Sequence, residues 1–468
     1  MMLKVLHHRL SFKPSAAATH PYKTFDRFLS SIEKSSFTPS SVQFKNRLTN
    51  VLWKDGHNSS FLNAWLRDHC HCSECYDTTT AQRSSDTLSM GVSSEIRSTD
   101  YTVNHDKQQL NLTIQCPGTT KINSSTHTCV FPLHWLRNNC YSSSGIEERR
   151  QASHKNRNPW DPSRLHQMCA KNGDSMSSTT NTSSTNTSFL SGLPSTPYNK
   201  LSSNPTVLRD QLQHYGIAFV SDVLVPDEDT IEQCKKIVNN TVRDFIGFPR
   251  ETLWGTLWDT QVSEDAPDTA YTNIALRPHV DCTYLRDPPE LQIFLCAAES
   301  DDEMGGSSTF VDGLRVAEEM YTRDSDAFNF FSKTQLGFQC IQDGVHSIAY
   351  GKVFETEPGI ENPNHLDVTR FRYNNDDRSA MHFLSSNDVE KFYKYIPLLL
   401  ELLRDDHFVL KTRLKKGTMA IVNNHRVLHG RESFEGTRRN LVGCYAELSE
   451  AVLPSAVKGP IPPPNNQL

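Results

Sequence analysis

Three side chains in this sequence are of the types that hold a redox-active metal. His279 and Asp281 stand in the run Y-T-N-I-A-L-R-P-H-V-D-C-T-Y, Tyr271 to Tyr284, and His429 stands in R-V-L-H-G-R-E. Two imidazoles and one carboxylate make the facial triad of non-haem Fe(II) oxygenases, which leaves coordination positions open for a cosubstrate and O2. On a strand, residues two apart lean to one face, so the H-x-D spacing predicts that His279 and Asp281 aim at one spot. His429 follows the apolar run M-A-I-V-N-N, Met419 to Asn424. A strand folding back beside the first would bring it in as third ligand.

A second cluster calls for different chemistry. Cys70, Cys72 and Cys75 form C-x-C-x-x-C. Three thiolates this close can share one Zn(II), whose tetrahedral preference asks for one more ligand. His127 is taken as the fourth, with Cys129 and His134 as alternatives. No general base or open position accompanies the cluster, so it reads as structural. The remaining members of the 12 cysteines are irregularly spaced, a pattern of reduced thiols and not of a disulfide framework.

These residues need a chain able to position them. With 468 residues there is room for more than one domain, and 36% hydrophobic content leaves part of the chain without a core. The net charge of −6 comes with no basic block, which argues against a nucleic-acid partner. No apolar run is long enough for a membrane partner. Residues 1–25 lack Asp and Glu but carry Lys4, Arg9, Lys13 and Lys23 among apolar residues, the pattern of a mitochondrial transit peptide.

Residues 40–140 read as a small domain of short strands, including Val42 to Leu48, Asn50 to Trp53 and Leu110 to Gln115. Residues 141–204 read as a linker rich in Ser, Thr and Asn, with Pro159-Trp160-Asp161 as an anchor point. Residues 205–452 form the large domain, and 453–468 a Pro-rich tail. In the large domain, helices are expected over Thr206–Tyr215 and Thr230–Phe245. Another is expected over Asn387–Leu403, with Asn387 as N-cap and a kink at Pro397. Strands are expected at Ile217–Val220, Leu291–Cys296, Ser308–Val311, Phe408–Leu414, Thr418–Asn423 and Leu441–Leu448. Many short strands with flanking helices predict a mainly β fold, a jelly-roll (double-stranded β-helix) core preceded by the small zinc-binding domain, with residues 312–417 as an insertion off one corner.

Seven blocks, in order, carry a resemblance. They are W-L-R-D-H-C-x-x-x-x-C-Y, Y-G-I-A-F-V, D-T-A-Y-T, H-x-D-x-T-Y, G-G-x-x-x-x-V-D-G, R-Y-N-N-x-D-R and R-V-L-H-G-R-E-x-F. Residues 45–450 resemble the trimethyllysine dioxygenase and γ-butyrobetaine hydroxylase family, Fe(II)- and 2-oxoglutarate-dependent hydroxylases of carnitine synthesis. The resemblance implies iron on His279, Asp281 and His429, 2-oxoglutarate and O2 as cosubstrates, a structural zinc and ascorbate as reductant. A homodimer is an assembly it allows. It implies a mitochondrial matrix enzyme, with the cytoplasm as the alternative.

The far carboxylate of 2-oxoglutarate needs a cation, and arginine offers a planar fork. The candidates after His429 are Arg431, Arg438 and Arg439. The family's R-x-L-x-G-x-Y falls on Arg439, Leu441, Gly443 and Tyr445, with Arg438 as the alternative and Ser308 as a helper. A quaternary ammonium has no N–H to donate, so aromatic faces must recognise it. Trp254, Trp258, Tyr271 and Tyr445 align with the family's cage, and the two tryptophans share a face if the segment is helical. Asp268, in D-T-A-Y, points to trimethyllysine, which carries an α-ammonium, and not to γ-butyrobetaine. Asn374 and Asn375 are candidates for the substrate carboxylate. N-N-H-R stands where the family has D-N-W-R, so His425 replaces a tryptophan. The implied reaction hydroxylates C3 of trimethyllysine, the first step of carnitine synthesis. The alternatives are hydroxylation of γ-butyrobetaine, the last step, or a zinc-bearing interaction protein without catalysis.

Overall fold

The computed structural model describes residues 37–87, 95–116, 126–155, 157–173, 188–226, 230–266, 268–302, 305–342 and 344–448. The basic leader at 1–25, most of the Ser/Thr/Asn-rich run from 175 to 188 and the tail at 453–468 lie outside them. The chain divides into two compact units, one ending at Arg149 and the other beginning at Arg150.

The first unit holds two three-stranded antiparallel sheets. One runs Pro39–Lys45, Leu48–Trp53, Asn58–Leu62, and the other Arg97–Asn104, Gln109–Gln115, Thr126–Pro132. Alternation of apolar and polar residues buries one face of each. Val51, Trp53 and Phe61 meet Leu110, Leu112, Ile114 and Phe131 in one core.

The second unit is built on two facing sheets. The seven-stranded sheet has at its centre Asn440–Ala446, Leu291–Ala298, Met419–Asn423 and Ile217–Ser221, each neighbouring pair antiparallel. These strands are buried on both faces, which their near-continuous apolar sequence requires. On the outer face Val238 and Val242, from the Thr230–Phe245 helix, join a core with Ile293 and Ile421. The four-stranded sheet runs Leu276–His279, Val427–Arg431, Ser308–Asp312, Leu410–Thr412. Phe219 of the larger sheet meets Phe310 of the smaller edge-on, with centroids 5.9 Å apart.

Several expectations need correction. The segment read as linker contains helices at Ser143–Lys155 and Pro162–Asn172. Between them Trp160 is fully buried and donates its indole N–H to the Tyr215 carbonyl at 2.6 Å, so the Pro159-Trp160-Asp161 anchor is part of the core. The helix expected from Asn387 runs Ser386–Leu402, with Ser385 as N-cap accepting the Asp388 N–H, because a serine oxygen already stands two residues earlier. The strand expected over Phe408–Leu414 shrinks to Leu410–Thr412, which pairs with Ser308–Asp312 and belongs to the smaller sheet, not to an insertion. No helix among the described residues is long and apolar enough to cross a membrane.

Candidate active site

His279 ends the Leu276–His279 strand and pairs in register with His429 on the Val427–Arg431 strand. That pairing sets the two rings 4.5 Å apart. Asp281 does not share the strand. The chain turns after His279, and Cys282 takes a left-handed backbone at φ 56°. The same-face argument for H-x-D therefore does not hold. Asn424 does the work instead: its side-chain oxygen accepts the Asp281 N–H at 2.7 Å, and its amide donates to the carbonyls of Asp281 at 3.1 Å and Pro289 at 2.9 Å. Asn424 is 1% exposed, so this clamp is shielded from water.

The result is a convergent set of ligand atoms. Asp281 Oδ1 lies 3.1 Å from His279 Nε2 and 3.6 Å from His429 Nε2, and all three atoms fall within 4.8 Å of one another. The other oxygen, Oδ2, accepts from the Tyr445 hydroxyl at 2.7 Å and from the Gln292 amide. Nδ1 of His279 donates to the Arg277 carbonyl at 2.7 Å, which makes Nε2 the ring nitrogen turned to Asp281. Burial opposes a charge on His279, but the Asp281 carboxylate outweighs it and pushes this imidazole up to about 9. Burial also pulls His429 down to about 3. Asp281 is held well below the usual carboxylate range by the two histidines, against its own burial. The group thus holds one carboxylate and calls for a cation, and its donors fit a divalent iron. His425 is no competitor, since its Nε2 bonds the Pro288 carbonyl at 2.8 Å.

A cavity of about 150 Å³ opens over the triad. Trp254, Trp258, Tyr271 and Tyr445 all line it. Trp254 and Tyr271 face each other with centroids 6.3 Å apart, and the Trp254 indole donates to Tyr284, an aromatic neighbour that the sequence reading missed. The two tryptophans are not on a helix. Trp254 sits in the turn closed by Thr252 and Gly255, and Trp258 pairs with Gly443 of the neighbouring strand. A Cβ at Gly443 would meet the Trp258 ring at 2.4 Å, so the glycine gives that ring its place. Asp268 lines the cavity as an exposed residue, and its Oδ1 accepts the Ala270 N–H at 2.8 Å. Asn374 lines it too, while Asn375 does not and accepts from the Tyr373 hydroxyl.

The three arginines separate cleanly. Arg439 is 6% exposed, lines the cavity and donates to Ser308 Oγ at 3.3 Å; no carboxylate among the described residues pairs with it. Burial lowers it to about 10. Arg431 is spent on the carbonyls of Ala270, Thr272 and Ile274. Arg438 is exposed, outside the cavity wall, and pairs with Asp301 at 2.8 Å.

In the first unit, the thiols of Cys70, Cys72 and Cys75 each lie 3.4 Å from His127 Nε2. One nitrogen equidistant from three sulfurs suits a tetrahedral ion. Cys129 and His134 are not in the group. Arg67, 4% exposed, donates to Cys75 Sγ at 3.2 Å. Three thiolates around a divalent ion leave one negative charge, which this buried guanidinium matches.

A mainly β double-sheet fold with a two-histidine, one-carboxylate group at a buried cavity defines the class of non-haem iron oxygenases. Residues 190–445 match the model of the taurine catabolism dioxygenase TauD, TfdA family, and residues 41–115 that of a gamma-butyrobetaine hydroxylase-like N-terminal domain. The chain belongs to the TauD/TfdA family of dioxygenases, in its trimethyllysine dioxygenase branch. The mitochondrial trimethyllysine dioxygenase of Gallus gallus is 30% identical over 388 residues, covering 81% of this chain and 79% of the relative. That of Homo sapiens is 31% identical over 390 residues, covering 81% and 78%. Among solved structures, the PvcB protein from Pseudomonas aeruginosa aligns at TM-score 0.40 and 19% identity over 57% of this chain and 87% of that one.

Proposed function

We propose that this enzyme hydroxylates C3 of trimethyllysine, as the first step of carnitine synthesis, on a jelly-roll core. The observation that carries the reading is the convergence of His279, Asp281 and His429 beneath an aromatic-lined, acid-bearing cavity. Those three residues would hold iron. With 2-oxoglutarate bound, the metal supplies the oxidising power that converts C–H to C–OH at the expense of O2, releasing succinate and CO2.

The chain's own residues position and shield. Arg439, with Ser308, is suited to the distal carboxylate of 2-oxoglutarate, because a buried guanidinium without a carboxylate is a strong anion site. Trp254, Tyr271, Trp258 and Tyr445 offer faces to the quaternary nitrogen, each contact worth about 0.5–2 kcal/mol. Asn374 is suited to the substrate carboxylate: its oxygen accepts the Asp376 N–H, leaving its amide to donate. Tyr445 and Gln292 hold one oxygen of Asp281 and so leave the other turned toward His279 and His429, where it would serve as the ligand atom. Cys70, Cys72, Cys75 and His127 would hold a structural zinc. The word "mitochondrial" in the names of the animal relatives, together with the acid-free leader, supports a place in the mitochondrial matrix, with ascorbate keeping the iron reduced.

Succinate release with each amine in turn tests this. Trimethyllysine is expected to stimulate it strongly and γ-butyrobetaine weakly. Stimulation by γ-butyrobetaine alone would reassign the substrate.

A further inference from the structure

The first unit repeats itself. His57, Phe61, Trp65, Leu66, Arg67 and Cys70 recur as His127, Phe131, Trp135, Leu136, Arg137 and Cys140, each pair seventy residues apart. Each set spans the last strand of a three-stranded sheet and the six-residue helix after it, Asn63–Asp68 or Leu133–Asn138. The residues before and after the helices have matching dihedrals: φ −68°, ψ 130° at Leu62 and φ −58°, ψ 129° at Pro132, then φ −101°, ψ 26° at His69 and φ −95°, ψ 18° at Asn139. His69 and Asn139 each bond back to the carbonyl of their own tryptophan at 2.9 Å. The two tryptophans stack, with centroids 5.7 Å apart.

The histidines cross over. His127 of the second copy meets the cysteines of the first, and His57 of the first copy meets Cys140 of the second at 3.3 Å. Both carry a carboxylate at Nδ1, Glu74 at 4.0 Å and Glu148 at 2.7 Å. Where the first copy continues Cys72 and Cys75, the second has Ser142 and Gly145. Ser142 Oγ lies 3.0 Å from Cys140 Sγ, and a Cβ at Gly145 would come within 3.0 Å of the same sulfur.

We propose that His57, Cys140, Ser142 and Gly145 are the twin of the Cys70, Cys72, Cys75 and His127 group, a second zinc site that lacks two thiols. In this chain it survives as a buried thiol–imidazole contact backed by the exposed Glu148 carboxylate. Restoring one thiol should restore metal binding. Ser142→Cys is expected to raise bound zinc from one to two per chain and to give a second cobalt–thiolate absorbance on Co(II) titration. Adding Gly145→Cys should tighten that metal, although its Cβ also crowds the Cys140 carbonyl at 2.5 Å, so Ser142→Cys alone is the deciding variant. A Ser142→Cys protein with unchanged melting that still holds a single metal overturns the proposal.

A separate observation concerns the active-site cavity. The fully buried acids of the second unit have cations: Asp312 has Arg426 at 2.9 Å, Asp367 has Arg150 at 2.6 Å and Asp161 has Arg315 at 3.4 Å. Asp377 lines the cavity, accepts from the Thr283 hydroxyl at 2.6 Å and pairs with no cation among the described residues. Asp377 is partly buried, and a partly desolvated carboxylate without a cation carries a cost that a cationic ligand would relieve. Thr283 lies two residues beyond Asp281, which ties Asp377 to the triad. Asp268 instead shares a turn with Tyr271 at the exposed rim.

The chemistry sets which cation each acid should meet. Hydroxylation at C3 puts the adjacent carbon, which bears the α-ammonium, beside the metal, and leaves the quaternary nitrogen at the far end. Resting on the trimethyllysine reading, we infer that Asp377 is the counter-ion of the α-ammonium and that Asp268 belongs to the cage. The des-amino analogue, which keeps the carboxylate and the quaternary nitrogen, tests this by calorimetric affinity and by kcat/KM. Wild-type protein should prefer trimethyllysine, and Asp377→Asn should cut that preference by about 10-fold or more, while Asp268→Asn should weaken both compounds alike. If Asp377→Asn keeps the preference, or Asp268→Asn alone removes it, the assignment fails. If wild-type protein binds neither compound, it is the substrate reading that fails.

Discussion

Cys70, Cys72 and Cys75 lie within one short loop and need only His127 from a neighbouring strand, whereas His279 and Asp281 wait for His429 from far along the chain. The cysteine group has four donors and a buried arginine against it. The group of His279, Asp281 and His429 has three donors, faces a cavity, and has one carboxylate oxygen tied back by Tyr445 and Gln292. A closed set of four suits an ion that holds a fold together, and an open set of three suits one that must receive ligands. Damage to the first should therefore cost stability, and damage to the second should cost turnover.

The largest expected loss is at the triad. His279→Ala should lower succinate release by more than the ~100-fold that removal of an outer-sphere partner costs, while its melting profile keeps the transition of the first unit. Cys75→Ser should do the reverse, losing zinc and melting the first unit early; structural zinc contributes on the order of 10 kcal/mol in small zinc-folded domains. Arg439→Ala is expected to raise the KM for 2-oxoglutarate by about 10–100-fold, since a charged hydrogen-bonding partner is removed from a buried anion. Tyr445→Phe should weaken iron binding by ~10-fold or more through the freed Asp281 oxygen, with the cage ring kept. Arg438→Ala, at an exposed pair, should leave KM unchanged and stability within about 1 kcal/mol. An effect at Arg438 as large as that at Arg439 would break the division drawn between them.

Both groups were legible as sets of metal-ligating residue types, and the structure brings the members of each together. Their geometry was less so. Strand alternation misplaced Asp281, whose position comes from a turn and the Asn424 clamp, a long-range contact that no local pattern encodes. Gln292 stood in plain view as the one polar residue in the apolar run Leu291–Cys296, a signal of a buried polar partner. The helical spacing read into Trp254 and Trp258 fails because the segment is a turn and a strand edge. The helices within 141–173 were hidden by neighbouring low-complexity sequence, although Trp160 marked the anchor. The seventy-residue repeat was legible throughout, in W-L-R-D-H-C and W-L-R-N-N-C, but its meaning needed the crossed histidines.

Metal content per chain, measured on wild-type, His279→Ala and Cys75→Ser proteins loaded anaerobically with Fe(II), tests the two-site account most directly. One iron and one zinc are predicted for the wild type, zinc alone for His279→Ala, and a selective loss of zinc for Cys75→Ser. A His279→Ala protein that keeps its iron would contradict the account at its centre.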